Sequence, residues 1–171
     1  MAKFNLGIRL NSISRQYGCI GGAILVIVML VVRWTSGSPY FFLSQLRDDS
    51  VWLPVWLASL LWMLWYFVVG FVWGMLLCEV RCRAMPWAVW FYRGSLYFLV
   101  GLFFGFMWYP CLFRACMPFF SLFALALSLL FMCIATACWL RIHAMGGVIL
   151  GGYCAWLLFV TLSQFVTLLN N

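Results

Sequence analysis

Five unbroken apolar runs, at approximately 17–33, 51–78, 86–110, 115–140 and 144–168, leave little of this chain for anything else. Each reaches the roughly 17–25 residues that carry a helix across about 30 Å of hydrocarbon. Lipid offers no hydrogen bonds to a backbone, so a spanning segment is either a helix or part of a closed barrel. Barrel strands alternate apolar and polar residues, and these runs do not. With 68% apolar residues, 8% charged residues and a mean hydropathy of +1.10 over 171 residues, the chain lies far outside the range of soluble domains. The expected fold is an all-α integral membrane protein, a five-transmembrane-helix bundle forming a single domain over 1–171.

The polar remainder is an amino-terminal arm (Met1 to Gln16), a first loop (Arg33 to Ser50) and three tight connections. Lys3, Arg9 and Arg15 ahead of an apolar run have the look of a signal peptide, but no small-x-small cleavage site follows, and the run is long enough to be a retained helix. Alternating spans put these three with Arg81, Arg83, Arg93 and Arg141 on one side. Arg33, Arg47 and Arg114 fall on the other, with Asp48 and Asp49 offsetting the loop. The positive-inside rule then makes the amino terminus cytoplasmic and puts the carboxyl terminus and first loop opposite. The net charge of +7 reads as topology plus attraction to anionic membrane lipid. Dispersed charges of this kind form no nucleic-acid patch.

Most site chemistry lacks raw material. Cys78 and Cys82 are four apart, and Cys111 and Cys116 flank the third turn; neither pair is a Cys-x-x-Cys redox motif. Cys19, Cys133, Cys138 and Cys154 sit inside apolar runs as small hydrophobes. His143 is the single histidine and sits beside Arg141 in a short loop, which argues against a metal site and leaves the second axial position of a haem unexplained. Asp48, Asp49 and Glu79 are the only carboxylates, all at loops or helix ends, which leaves no proton relay for an ion-driven pump. Glu79 beside Arg81 and Arg83 reads as an interfacial ion pair. No catalytic residue, metal or required cofactor is expected.

Aromatic residues are what remains. Eleven tryptophans are present, and Trp34, Trp52, Trp56, Trp87, Trp90, Trp108 and Trp139 lie where interfacial anchors belong. Trp62, Trp65 and Trp156 are too deep for that role. In the second run Trp62, Tyr66, Val69 and Trp73 share one helical face, with Trp65 at its margin. In the fifth, Tyr153, Trp156, Val160, Gln164 and Thr167 form another stripe with polar tips. Two such stripes at mid-membrane serve either helix packing or a slot for a planar guest.

The segment Pro54-x-Trp56 followed by Trp62-x-Leu64-x-Tyr66-x-x-x-Gly70 resembles the second helix of the tryptophan-rich sensory protein and translocator protein (TspO/MBR) family. Leu102-x-Phe104-Gly105-x-x-Trp108-x-x-x-Leu112-Phe113 is similar to its third helix. Ile149-Leu150-x-Gly152-Tyr153-x-x-Trp156-x-x-Phe159-Val160-Thr161, with Asn170-Asn171 at the end, is similar to its fifth. The chain departs from the family pattern at Leu53 and Gly152, which replace prolines, and at Gly101 and Gly105, which replace Gln and Asn. No basic residue follows Tyr153, so the family's sterol-recognition pattern is missing.

The resemblance implies a five-helix bundle, often homodimeric, that binds protoporphyrin-like tetrapyrroles between its helices and beneath the first loop. Its pocket would be lined by Trp62, Tyr66, Trp108, Tyr153, Trp156 and Val160, with Arg33 and Arg47 meeting ligand propionates. The expected function is a membrane receptor or transport-type protein for tetrapyrroles or related hydrophobic molecules. The alternatives are tryptophan-dependent, light-driven porphyrin breakdown and a structural membrane subunit.

Overall fold

The structure, a computed structural model, describes residues 12–37, 54–82 and 88–170. They form five helices, α1 (Ser12–Thr35), α2 (Val55–Cys82), α3 (Ala88–Tyr109), α4 (Pro118–Leu140) and α5 (Ala144–Asn170), with a π-helical turn, Pro110–Arg114, continuing α3. All five are long and apolar enough to cross a membrane. The fold is an all-α five-helix membrane bundle.

The helices differ from the apolar runs at their ends, because hydropathy marks the lipid-soluble length while backbone hydrogen bonding sets the helical one. Thus α1 starts at Ser12, ahead of the run, and α2 continues past Cys78 to Cys82. Proline sets two boundaries. Pro110 has no N–H to donate back into α3, and the ladder widens there to an Ala115 N–H bond onto the Pro110 carbonyl at 2.9 Å. Pro118 opens α4, where its missing donor would be unpaired anyway, and Cys116 turns the chain between them at φ 52°. At the start of α5, His143 Nδ1 accepts the Gly146 N–H at 3.1 Å, capping the helix.

Helices α1 and α2 meet backbone to backbone. A Cβ added at Gly70 would lie 2.6 Å from the Gly21 carbonyl oxygen, and Gly18 and Gly22 face Phe71 and Phe67 in the same seam. Small residues permit this approach, and dispersion then holds the pair in lipid. Gly101 and Gly105 likewise receive Met132 and Ser128 of α4. Both glycine faces are therefore occupied inside the bundle. Helices α2, α3 and α5 pack differently: their backbones approach at few points, because aromatic rings fill the space between them.

Two of the expected interfacial anchors are core residues. Trp139 is 0% exposed, its ring 5.0 Å from that of Phe98 and laid over Gly94. Trp108 is buried as well. Position along a span gives a residue's depth, and the direction in which it leaves the helix decides burial. Trp34 and Trp56, at the opposite end from Trp139, do point outward, at 88% and 65% exposure. Trp90 is half-buried beneath the Arg141 guanidinium, 4.3 Å from its ring centre. Trp52 and Trp87 lie outside the described residues.

Candidate functional site

The face of α2 expected from helical spacing turns inward: Trp62, Tyr66 and Val69 are buried, and Trp73 donates its indole N–H to Ser95 Oγ at 3.1 Å. From α5, Tyr153, Val160, Gln164 and Thr167 are buried and Trp156 is half-buried. Trp108 enters from α3. Trp62 is the hub. Its ring lies 5.5 Å from Tyr66, 5.6 Å from Trp108, 6.4 Å from Tyr153 and 5.9 Å from Trp156.

These separations fall within the roughly 4.5–7 Å of aromatic pairs in contact. The rings therefore touch one another, edge to face between Trp62 and Trp156 at 76°, and no open slot separates that pair in this conformation.

Two rings absent from the sequence expectation complete the cluster. Phe106 stacks on Tyr66 at 5.0 Å, and Tyr109 packs on Trp108 at 4.7 Å. Leu102, Phe106, Tyr109 and Leu112 follow the same 3.6-residue period as the α2 stripe, so the signal was present, diluted by apolar residues on every side of α3. The cluster is fastened at one end by Gln164. Its Oε1 accepts the Trp108 indole N–H at 2.7 Å, and its Nε2 donates to the Pro118 carbonyl at 2.9 Å and to Ser121 Oγ. One amide thus ties α3 and α4 to α5.

Elsewhere in the cluster polar atoms go unmatched. The Tyr66 and Tyr153 hydroxyls and Trp156 Nε1 are buried and make no hydrogen bond among the described residues. Both hydroxyls point toward the bare Cα of Gly105, where an added Cβ would lie 3.7 Å and 4.0 Å from them and 3.2 Å from Ser128 Oγ. Ser128 is itself committed to the Gly101 carbonyl, at 2.8 Å. A buried donor without an acceptor costs about 1–3 kcal/mol. The centre of the bundle therefore holds donors that a guest's acceptor atoms or a water molecule would satisfy.

Arg33 is half-buried and donates to Ser59 Oγ, one helical turn above Trp62. Arg114 reaches the Thr35 carbonyl at 3.3 Å. Arg47, the other expected propionate contact, lies outside the described residues, as do Asp48, Asp49 and Arg83. Cys19, Cys78, Cys111, Cys116, Cys133, Cys138 and Cys154 form no disulfide. Among the described residues no group of three or more His, Cys, Asp or Glu side chains converges as a metal site would require.

No protein-family model, curated protein or solved structure matches the chain.

Proposed function

We propose that the protein is a membrane receptor or transport-type protein that holds a flat hydrophobic molecule, a protoporphyrin-like tetrapyrrole by the resemblance of its aromatic motifs, at the cluster centred on Trp62. The observation that carries this reading is the pairing of convergent rings from three helices with unmatched donors on Tyr66, Tyr153 and Trp156. A planar guest with ring nitrogens or carbonyl oxygens offers stacking to the former and acceptors to the latter. Trp156 stands at the rim, half-buried and stacked on the exposed Phe159 at 5.7 Å. Its rotation away from Trp62 is the entry step, since the rings otherwise close on each other. Arg33, which donates to Ser59 one turn above Trp62, would meet an acidic substituent of such a guest. The positive-inside rule puts that end of the bundle on the non-cytoplasmic side.

The test is a fluorescence titration of the reconstituted protein with protoporphyrin. Quenching saturates for the native chain and is lost in Trp62→Ala/Trp156→Ala. Tyr153→Phe keeps every ring and weakens binding about fivefold, the worth of one hydrogen bond. Linear, unsaturable quenching that is identical in all three proteins would refute the reading. Illumination separates binding from breakdown, because a binder leaves the pigment's absorbance equal to a detergent control.

A second reading, a structural subunit whose aromatic cluster is simply its core, is favoured by the ring contacts around Trp62 and by the Gln164 bonds. It requires that the pigment leave both fluorescence and stability unchanged.

A further inference from the structure

Helices α4 and α5 run antiparallel with their registers in step. A Cβ added at Gly147 would press into Leu140, and one at Gly151 would meet Thr136 Cγ2 at 3.8 Å. Four residues back along α4 and four forward along α5 separate those two contacts, and three more on each helix lead to Cys133 and Cys154. The Thr136 hydroxyl orients the second of these thiols. Its one hydrogen goes to the Met132 carbonyl at 2.8 Å, so in its 3.5 Å contact with Cys154 Sγ the thiol is the donor. Cys133 is a further hydrogen-bonding neighbour of Cys154. Neither cysteine is in a disulfide. Their surroundings differ: Cys154 is 9% exposed, whereas Cys133 shares the outer surface of α4 with Leu130 and Ile134.

We propose that this pair is an oxidation site for lipid peroxyl radicals, which take two hydrogen atoms from it and leave a disulfide joining α4 to α5. Its position inside two apolar spans selects that chemistry. Hydrocarbon does not solvate a thiolate, and attack on a disulfide or a hydroperoxide needs one. Hydrogen-atom transfer needs no charge. A first peroxyl radical takes the hydrogen of the Cys133 thiol and becomes a lipid hydroperoxide. The Cys133 thiyl radical then takes the hydrogen of Cys154, and a second peroxyl radical removes it from Cys133 in turn. The two thiyl radicals pair their electrons as the S–S bond. Two thiols are thereby oxidised to one disulfide, while two peroxyl radicals are reduced to two hydroperoxides. Only Cys133 has to meet lipid, which agrees with the burial of Cys154.

The test uses the full chain reconstituted in vesicles of dilinoleoyl phosphatidylcholine, in which a lipid-soluble azo initiator generates peroxyl radicals. The chain is then denatured, its remaining thiols alkylated, and its disulfides mapped by mass spectrometry. The native chain loses about 2 Da, its two hydrogen atoms, through a Cys133–Cys154 bond. Cys133→Ser leaves Cys154 reduced and open to alkylation, because the buried thiol has lost its contact with lipid. Cys154→Ser still consumes the Cys133 thiol but yields no bond within the chain. Oxidised glutathione, which reacts only with a thiolate, leaves the native pair reduced. Peroxidation of the linoleoyl chains without a Cys133–Cys154 bond, equal loss of Cys154 in Cys133→Ser and in the native chain, or closure of the pair by oxidised glutathione alone would each overturn the proposal.

Discussion

Replacing Gln164 by Leu removes an amide that makes three hydrogen bonds, to Trp108 Nε1, the Pro118 carbonyl and Ser121 Oγ, at a position 1% exposed. Leucine fills nearly the same volume, so the effect isolates polarity from packing. Interhelical hydrogen bonds in membrane proteins average about 0.6 kcal/mol each, which puts the loss of three at roughly 2 kcal/mol. The indole N–H of Trp108 is then buried without an acceptor, at a further cost of about 1–2 kcal/mol. Gln164→Leu should therefore destabilise the bundle by about 3–4 kcal/mol in equilibrium unfolding with a denaturing detergent. Trp108→Phe supplies the second edge of a double-mutant cycle. Because the phenyl ring has no donor, Gln164→Leu costs less in that background, and the coupling should be about 0.6 kcal/mol or more. A loss below about 0.5 kcal/mol, or a coupling of zero, would show that the amide does not lock α3 and α4 to α5.

Two further contrasts test the packing. Gly70→Ala places a methyl against the Gly21 carbonyl and should loosen α1 from α2, at a cost of about 2 kcal/mol or more. Gly151→Ala meets only Thr136 Cγ2 at 3.8 Å and should be neutral or stabilising by up to about 1 kcal/mol through helix propensity; equal effects in detergent unfolding would contradict the seam. Trp139→Ala removes a fully buried ring and should cost about 3–5 kcal/mol, whereas Trp34→Ala should change stability by less than about 0.5 kcal/mol. Comparable losses in the same assay would mean that these two indoles are not in different environments.

Much of the candidate site was legible in the sequence because helical periodicity survives in an apolar chain wherever side chains of different size alternate. The spacing of Trp62, Tyr66 and Val69 identified the inward face of α2, and the polar tips of Gln164 and Thr167 marked that of α5. On α3 the same period was hidden, since Phe103, Phe104 and Met107 are as apolar as Phe106 and Leu102 but point elsewhere. Lipid is as greasy as a protein core, so hydrophobicity does not separate the two. Trp139 passed for an anchor for that reason.

The surrounding solvent and the helical secondary structure were fixed locally: the length of each apolar run, the prolines at 110 and 118, and the lack of backbone partners in hydrocarbon account for five long apolar helices. Which rings touch, and which polar atoms find partners, depends on how far apart the helices stand. Glycine draws α1 against α2 until their backbones meet, while indoles hold α2, α3 and α5 apart. That balance decides that Trp108 finds Gln164 and that the Tyr66 and Tyr153 hydroxyls find no partner among the described residues. Partnership of this kind is a distance between residues remote in the chain, and it exists only once the helices have packed.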